Sequence, residues 1–273
     1  MEELTNSYVE RFPEFKKFYK SIGSLNASSI GFGTYLGDLN EKDDKQFIDS
    51  MVFSAMNGCN LFDSAINYRA QRSERNIAEA LMQLRRGGFQ REEFVVCTKA
   101  GYIPFEGAQP AAPNQYVQET FIDSGIVAKE DISEWNVLTK NFIDNQFNQS
   151  LKNLNTHYID IFYIHNPEAQ LLSFEKKYFL EKMEEVFSLL EEKVKDNKLK
   201  YYGIASWDGF RVNESDANFH SLADFVKIAE KVAGKEHHFK VIQLPFNLSM
   251  LESMYVKNHE IKRFFDVLSR AYT

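Results

Sequence analysis

Short continuous apolar runs alternate along most of this chain with longer stretches in which apolar positions recur every three to four residues. The first pattern reads as buried strands and the second as amphipathic helices. Strands are predicted at Ser28–Leu36, Asn60–Ser64, Phe94–Lys99, Tyr158–His165, Tyr201–Ser206 and Phe239–Phe246. Helices are predicted at Glu41–Asn57, Ser73–Leu84, Thr139–Leu154, Phe174–Asp196, Phe219–Val232 and Glu260–Tyr272. Gly58 and Gly234 stand where C-terminal caps would fall. Ala100–Ser133 carries Gly101, Pro104, Gly107, Pro110 and Pro113 and reads mostly as a long loop, of the length used for lids and binding loops. Ahead of these units, Tyr8, Phe12, Phe15 and Tyr19 lie at a spacing that fits one face of a short helix.

Repeated strand–helix pairs imply a parallel sheet with helices outside it. Two α/β architectures fit. A doubly wound sheet would carry G-x-G-x-x-G after its first strand, and GFGTYLG (Gly31–Gly37) breaks that pattern by running on into apolar residues. The expectation is therefore an α/β barrel of the TIM (β/α)8 type, incomplete, with about six βα units. Residues 1–27 would form a helical arm and residues 28–273 the barrel domain without its last strands.

In such a barrel the C-terminal strand ends point to one face, where active sites are built. The first strand brings Gly33, Thr34 and Tyr35 there. The second ends in Asp63, with Tyr68 in the loop beyond it. The third ends in Lys99, the fourth in His165 and Asn166, the fifth in Ser206 and Trp207, and the sixth carries Gln243. One polar residue at a strand tip is ordinarily a cap, but Asp, Tyr, Lys and His converging from adjacent strands suggest a catalytic group. A free phenol has a pKa near 10, and a neighbouring ammonium lowers it. Lys99, held by Asp63, is expected to tune Tyr68 as a general acid or base. His165, neutral in such a cleft, would donate a hydrogen bond to a substrate oxygen. The set has no nucleophile–base pair for acyl transfer, and no side chain supplies a hydride, so a redox reaction here needs a cofactor.

A net charge of −7 argues against nucleic acid as the partner but leaves a nucleotide cofactor open. Two cysteines, Cys59 and Cys97, both beside apolar runs, fit buried thiols in a reducing compartment. The N-terminus lacks a basic, apolar leader, and no apolar run is long enough for a membrane span, so the cytoplasm is the expected location. His237-His238 reads as surface, and with no zinc-ligand spacing, no metal is expected.

The segment GCNLFDSAINYRAQRSERNIAEAL (Gly58–Leu81) resembles the aldo-keto reductase signature, in which a strand ends in Asp-Thr-Ala, a Tyr follows, and Ser-Glu opens a helix. VVCTKAG (Val95–Gly101) resembles that family's lysine strand, and YIDIFYIHNPE (Tyr158–Glu168) its histidine strand. YYGIAS and VIQLPFN resemble its later strand ends, so the likeness runs from about Ser28 to Asn247. It implies an oxidoreductase transferring hydride between NADPH and an aldehyde, ketone or alcohol. Asp63, Tyr68, Lys99 and His165 would be catalytic, with Tyr68 as proton donor. Gly33, Thr34, Asp63, Ser206 and Gln243 would meet the cofactor, and Tyr35, His165 and Asn166 the small-molecule carbonyl substrate.

The sequence departs from the pattern at Ser64, in place of the usual Thr, and at Trp207, where many members have Asn. The loop Ala100–Ser133 is longer than in compact members, so their substrate pockets do not carry over to it. By count, strands seven and eight are missing, and an open barrel would expose a strand edge. Three explanations stand: a truncated product, a chain completed by a partner or by self-association, or a degenerate gene product. The alternative function is a non-catalytic barrel acting as a nucleotide-binding or regulatory module.

Overall fold

The computed structural model describes residues 2–256 and residue 258. Its elements are, in chain order, α1 (Glu2–Arg11), β1 (Tyr19–Ile22), β2 (Leu25–Ser28), β3 (Phe32–Gly33), α2 (Glu41–Met56), β4 (Leu61–Asp63), α3 (Arg72–Arg86) and β5 (Val95–Ala100). Then come α4 (Pro113–Val117), β6 (Ile132–Ser133), β7 (Asn136–Val137), α5 (Lys140–Asn153), β8 (Ile159–His165), α6 (Lys176–Lys195), β9 (Leu199–Ala205), α7 (Leu222–Ala233), β10 (Phe239–Gln243) and α8 (Glu252–Tyr255).

β3, β4, β5, β8, β9 and β10 form one parallel sheet in sequence order, each strand beside the next. This is the α/β barrel arrangement expected from the sequence. Among the described residues the sheet is open, with β3 and β10 as its edges. Its registry is staggered. Asp63 pairs with Cys97, Cys97 with Ile161, and Ile161 with Tyr201. The next inner row runs Lys99, Tyr163, Gly203, Val241, and the last runs His165, Ala205, Gln243. Such stagger is what closing strands into a barrel demands. A Cβ on Gly203 would collide with the Val241 carbonyl, so this row needs glycine there.

The period-two alternation of each strand separates two environments. Outward positions, among them Phe62, Val96, Phe162, Ile164, Tyr202 and Ile204, pack in the main core with helix residues such as Met51, Ile77, Phe142, Phe147, Met183 and Phe187. Each such fully buried side chain contributes roughly 1.5–3 kcal/mol. Inward positions Val95, Cys97, Ile161, Tyr163 and Ala205 form a second, smaller cluster. Helix starts carry their own signals: Asn40 caps α2 by accepting from the Asp43 N–H at 2.8 Å, and Glu41, Asp43 and Asp44 occupy its first turn. At the start of β8 the fully buried Asp160 pairs with the charges of Arg91 at 2.8 Å and Lys200 at 2.7 Å and accepts a hydrogen bond from the Val96 N–H at 3.0 Å. The Tyr158 ring lies beneath both cations.

Several boundaries differ from those read in the sequence. The strand expected over Ser28–Leu36 is only Phe32–Gly33, because β2 turns back on β1 as an antiparallel hairpin through Gly23 and Ser24. Gly23 has φ +57, as such a tight turn requires. The hairpin sends Leu25 and Ala27 into the inner cluster. The stretch after Lys99 holds α4 and a β6–β7 hairpin turning at Glu134 and Trp135, both at positive φ. The helix expected from Phe219 starts at Leu222, because Ser221 accepts from the Asp224 N–H at 3.2 Å and caps it there. Cys97 is buried as expected, but Cys59 is only half-buried. The helix expected at Glu260–Tyr272 lies outside the described residues.

Candidate functional site

Asp63, Lys99 and His165 are the last inward residues of β4, β5 and β8, on successive staggered rows. Alternation aims all three into the cleft at the C-terminal face. Lys99 is 1% exposed, and its ammonium donates to Asp63 Oδ2 and to the Ser64 carbonyl, both at 2.7 Å. Burying a cation this deeply is tolerable only with such partners. Gln243 donates from Nε2 to Asp63 Oδ1 at 3.1 Å. Gln243 stands on one edge of the sheet and Asp63 beside the other edge, so the bond also shows that the sheet curls into an arc.

Tyr68 arrives from the loop after β4. Ser64 and Ile66 donate their N–H groups to the carbonyls of Cys97 and Lys99, which ties the loop to β5, and the Tyr68 N–H closes a turn onto the Ala65 carbonyl. Lys99 Nζ is 5.0 Å from the centre of the Tyr68 ring. The Tyr68 ring stands edge-on to Tyr35, with centroids 4.9 Å apart, and to His165 at 5.7 Å; Tyr102 meets His165 at 5.2 Å. The cleft is thus lined by rings above a polar floor.

The electrostatics differ from the sequence expectation at Tyr68. Burial first, and then the Asp63 carboxylate, hold its phenol well above the ordinary value. The carboxylate that anchors Lys99 also opposes the phenolate, so in this state Tyr68 is a neutral proton carrier. At His165, burial and then the Lys99 cation push the imidazole pKa down to about 3, so the ring is neutral at physiological pH. Its Nδ1 is buried without a hydrogen-bond partner.

The residues expected at a cofactor fall into two groups. Gly33 is exposed, and a Cβ placed on it would meet nothing within 4 Å, so its face is open. Gln243 reaches the floor of the cleft through Asp63. Thr34 is buried and donates to the Asp63 carbonyl at 3.1 Å and to Ser64 at 3.0 Å, which makes its hydroxyl a brace between β3 and β4. Ser206 donates to Glu168 Oε1 at 3.0 Å and accepts from the Gly209 N–H at 2.8 Å. Asn166, in a left-handed conformation, lies 3.4 Å from the Tyr102 hydroxyl through its Nδ2.

Sequence reasoning gave Glu168 no role, although the motif HNPE contained it. The same Glu168 oxygen also accepts from the N–H groups of Trp207 at 2.7 Å and Asp208 at 3.1 Å. His220 lies 3.4 Å from its other oxygen. A carboxylate just past a strand tip was the available signal. Among the described residues no cluster of His, Cys, Asp and Glu could hold a metal ion, and no helix is long and apolar enough to cross a membrane.

Comparison with known proteins adds four findings. The profile of the aldo/keto reductase family matches residues 29–238. A candidate voltage-gated potassium channel subunit beta of Schizosaccharomyces pombe is 26% identical over 215 residues, 78% of this chain and 51% of that protein. An NADH-dependent D-xylose reductase of Candida parapsilosis is 38% identical over 89 residues, 29% of this chain and 28% of that protein. Among solved structures, the holo form of an aldo-keto reductase from Bacillus halodurans superimposes with a TM-score of 0.53 at 20% identity, covering 84% of this chain and 57% of that one. At that identity the likeness speaks to the fold. The chain spans about half the length of the curated relatives it matches.

Proposed function

The chain belongs to the aldo/keto reductase family, and on that premise we propose that it passes hydride between NADPH and a small aldehyde or ketone, with Tyr68 as proton donor. The observation that carries this reading is the Lys99–Asp63 ion pair set beside the Tyr68 ring, with a neutral imidazole edge-on to the same ring. The open face at Gly33 and the carboxamide of Gln243 fit the nicotinamide end of the cofactor. When bound, that group would supply the hydride.

The side chains do the rest. Tyr68, a neutral phenol, gives its proton to the carbonyl oxygen as that oxygen gains charge. General acid catalysis of this kind is typically worth about 10²–10⁴ in rate. His165, also neutral, donates an N–H to the same oxygen and orients it. Lys99 then faces the phenolate with a positive charge, while Asp63 keeps the ammonium in place. The depth at which Lys99 and His165 are buried strengthens the charge interactions among the reacting groups. The two free thiols fit a reducing compartment, and we place the protein in the cytoplasm.

A second reading, a regulatory module that binds the nucleotide with little turnover, draws on the likeness to a candidate channel β subunit. One experiment separates them. NADPH and NADH are titrated by nicotinamide fluorescence, and turnover is followed with a panel of aldehydes. Tyr68→Phe is expected to remove turnover and leave cofactor affinity within about twofold. Binding without turnover in the wild type would favour the module, and unchanged turnover in Tyr68→Phe would falsify the proton-donor assignment.

A further inference from the structure

The three residues after Tyr68 all lie in the left-handed region: Arg69 at φ 48, Ala70 at φ 52 and Gln71 at φ 71. None is glycine, and left-handed backbone is disfavoured for residues with a Cβ. Such a run persists only where the surroundings over-determine it. Arg69 is buried. It donates to the Asp38 carbonyl from Nε at 3.1 Å and from Nη2 at 2.6 Å, and to Asp44 Oδ1 at 2.9 Å. Its guanidinium also lies 4.8 Å from the centre of the Phe47 ring. Asp44 accepts further from Arg72 Nη2 at 2.5 Å and from Asn76 at 3.0 Å. On the opposite side, the Ala70 carbonyl accepts from the Gly107 N–H at 2.8 Å, and Gln71 donates to the Phe105 carbonyl at 2.9 Å. Asn153 donates to Gln71 at 2.9 Å.

Tyr68 therefore sits between two anchorages. The strand-side one, through the Ser64 and Ile66 N–H groups on β5, fixes where the loop leaves the sheet. The other, at Asp44, fixes the strained turn that follows. The direction in which the phenol enters the cleft depends on both. We propose that the Asp44–Arg69 clamp, at the start of α2 and outside the cleft, is a positioning device for Tyr68, holding the left-handed turn that aims the phenol at the substrate. The proposal rests on Tyr68 as proton donor. A merely structural clamp would dock α2 on α3 and nothing more.

The test uses Asp44→Asn, which keeps shape and removes the charge, and Arg69→Lys, which keeps charge and removes the fork. Ile228→Ala, a core truncation on α7 far from the cleft, serves as a control of comparable loss in Tm. In the clamp variants kcat for aldehyde reduction is expected to fall at least tenfold, with NADPH affinity within about twofold. Ile228→Ala is expected to keep the wild-type kcat. Equal kcat in all three would overturn the proposal, as would a loss of cofactor affinity that matches the loss of rate. If Asp44→Asn does not fold, Arg69→Lys alone decides. Amide exchange in cofactor-free protein gives a readout independent of turnover: residues 68–72 are expected to exchange faster in the clamp variants, with α6 unchanged. Unaltered exchange there sinks the clamp even if the wild type proves inactive, whereas an inactive wild type with faster exchange sinks only the reductase reading.

Discussion

Lys99 holds its ammonium 5.0 Å from the centre of the Tyr68 ring while spending its hydrogen bonds on Asp63 and Ser64. The cation thus stands ready beside the phenol, and its resting partner is the carboxylate. Removing the carboxylate and removing the cation have different consequences.

Asp63→Asn deletes the charge that, after burial, does most to hold the Tyr68 phenol up. The phenol pKa is expected to fall. Ultraviolet titration of tyrosinate, with Tyr68→Phe as the subtracted reference, reads the shift directly; an unchanged or raised value refutes the assignment.

Lys99→Met strands the carboxylate. Breaking a buried pair costs 3–5 kcal/mol, and because Asp63 keeps some contact with solvent a loss of roughly 2–4 kcal/mol is expected. Urea denaturation measures it. Turnover is expected to fall at least 10²-fold in the same variant.

His165 titrates near 3 in the folded protein, against an ordinary value of 6.5. Between those values the unfolded chain binds more protons, so stability falls as pH drops from about 6.5 toward 3. The limiting effect is on the order of 5 kcal/mol. Urea midpoints at pH 7 and pH 5 are expected to differ more in the wild type than in His165→Asn; parallel losses would show that other groups dominate.

Glu168 also loses stability as pH falls, but there the fold favours the charged form. Burial alone would raise its carboxyl, but His220 and backbone N–H groups hold it below the ordinary value of 4.5. Its stabilising contribution is present above that value and disappears as pH falls through the folded one. Glu168→Gln replaces one acceptor oxygen with a donor and is expected to cost about 1–3 kcal/mol at pH 7. It is also expected to loosen the loop Ser206–Gly209, seen as faster amide exchange there. Equal exchange would leave Glu168 no part in ordering that loop.

Asp160→Asn probes the opposite end of the sheet. Leaving Arg91 and Lys200 without their shared carboxylate is expected to cost roughly 3–5 kcal/mol in thermal melts. Turnover per folded molecule is expected to stay at the wild-type level, since this triad lies at the N-terminal strand ends.

The sheet and the strand-tip residues were legible because each strand carries its own evidence: a continuous apolar run that ends in a polar inward residue. Asp63, Lys99 and His165 could be aligned from that alone. The β1–β2 hairpin was not legible, since LNAS is short and half polar and its partner strand contributes little apolar pattern. The turn at Arg69, Ala70 and Gln71 gave no signal because its left-handed conformation is imposed by Asp38, Asp44, Phe105 and Gly107, none adjacent in sequence. The direction of the Tyr68 shift was misread for a related reason. Spacing placed an ammonium nearby, but only the folded structure shows how much desolvation and carboxylate charge weigh against it.

The two-residue periodicity that sorts the strands into inner and outer faces has a consequence for how such a chain can change over generations. Exchanging one side chain for another within Ile159–His165 perturbs a single contact. Losing one early residue from that run inverts every later position: the imidazole would swing out among helix side chains, and Ile164 would turn inward into the row of Tyr163. Loops beyond the strand tips can lengthen, but the count within each strand is a reading frame, and chemistry is lost when it slips.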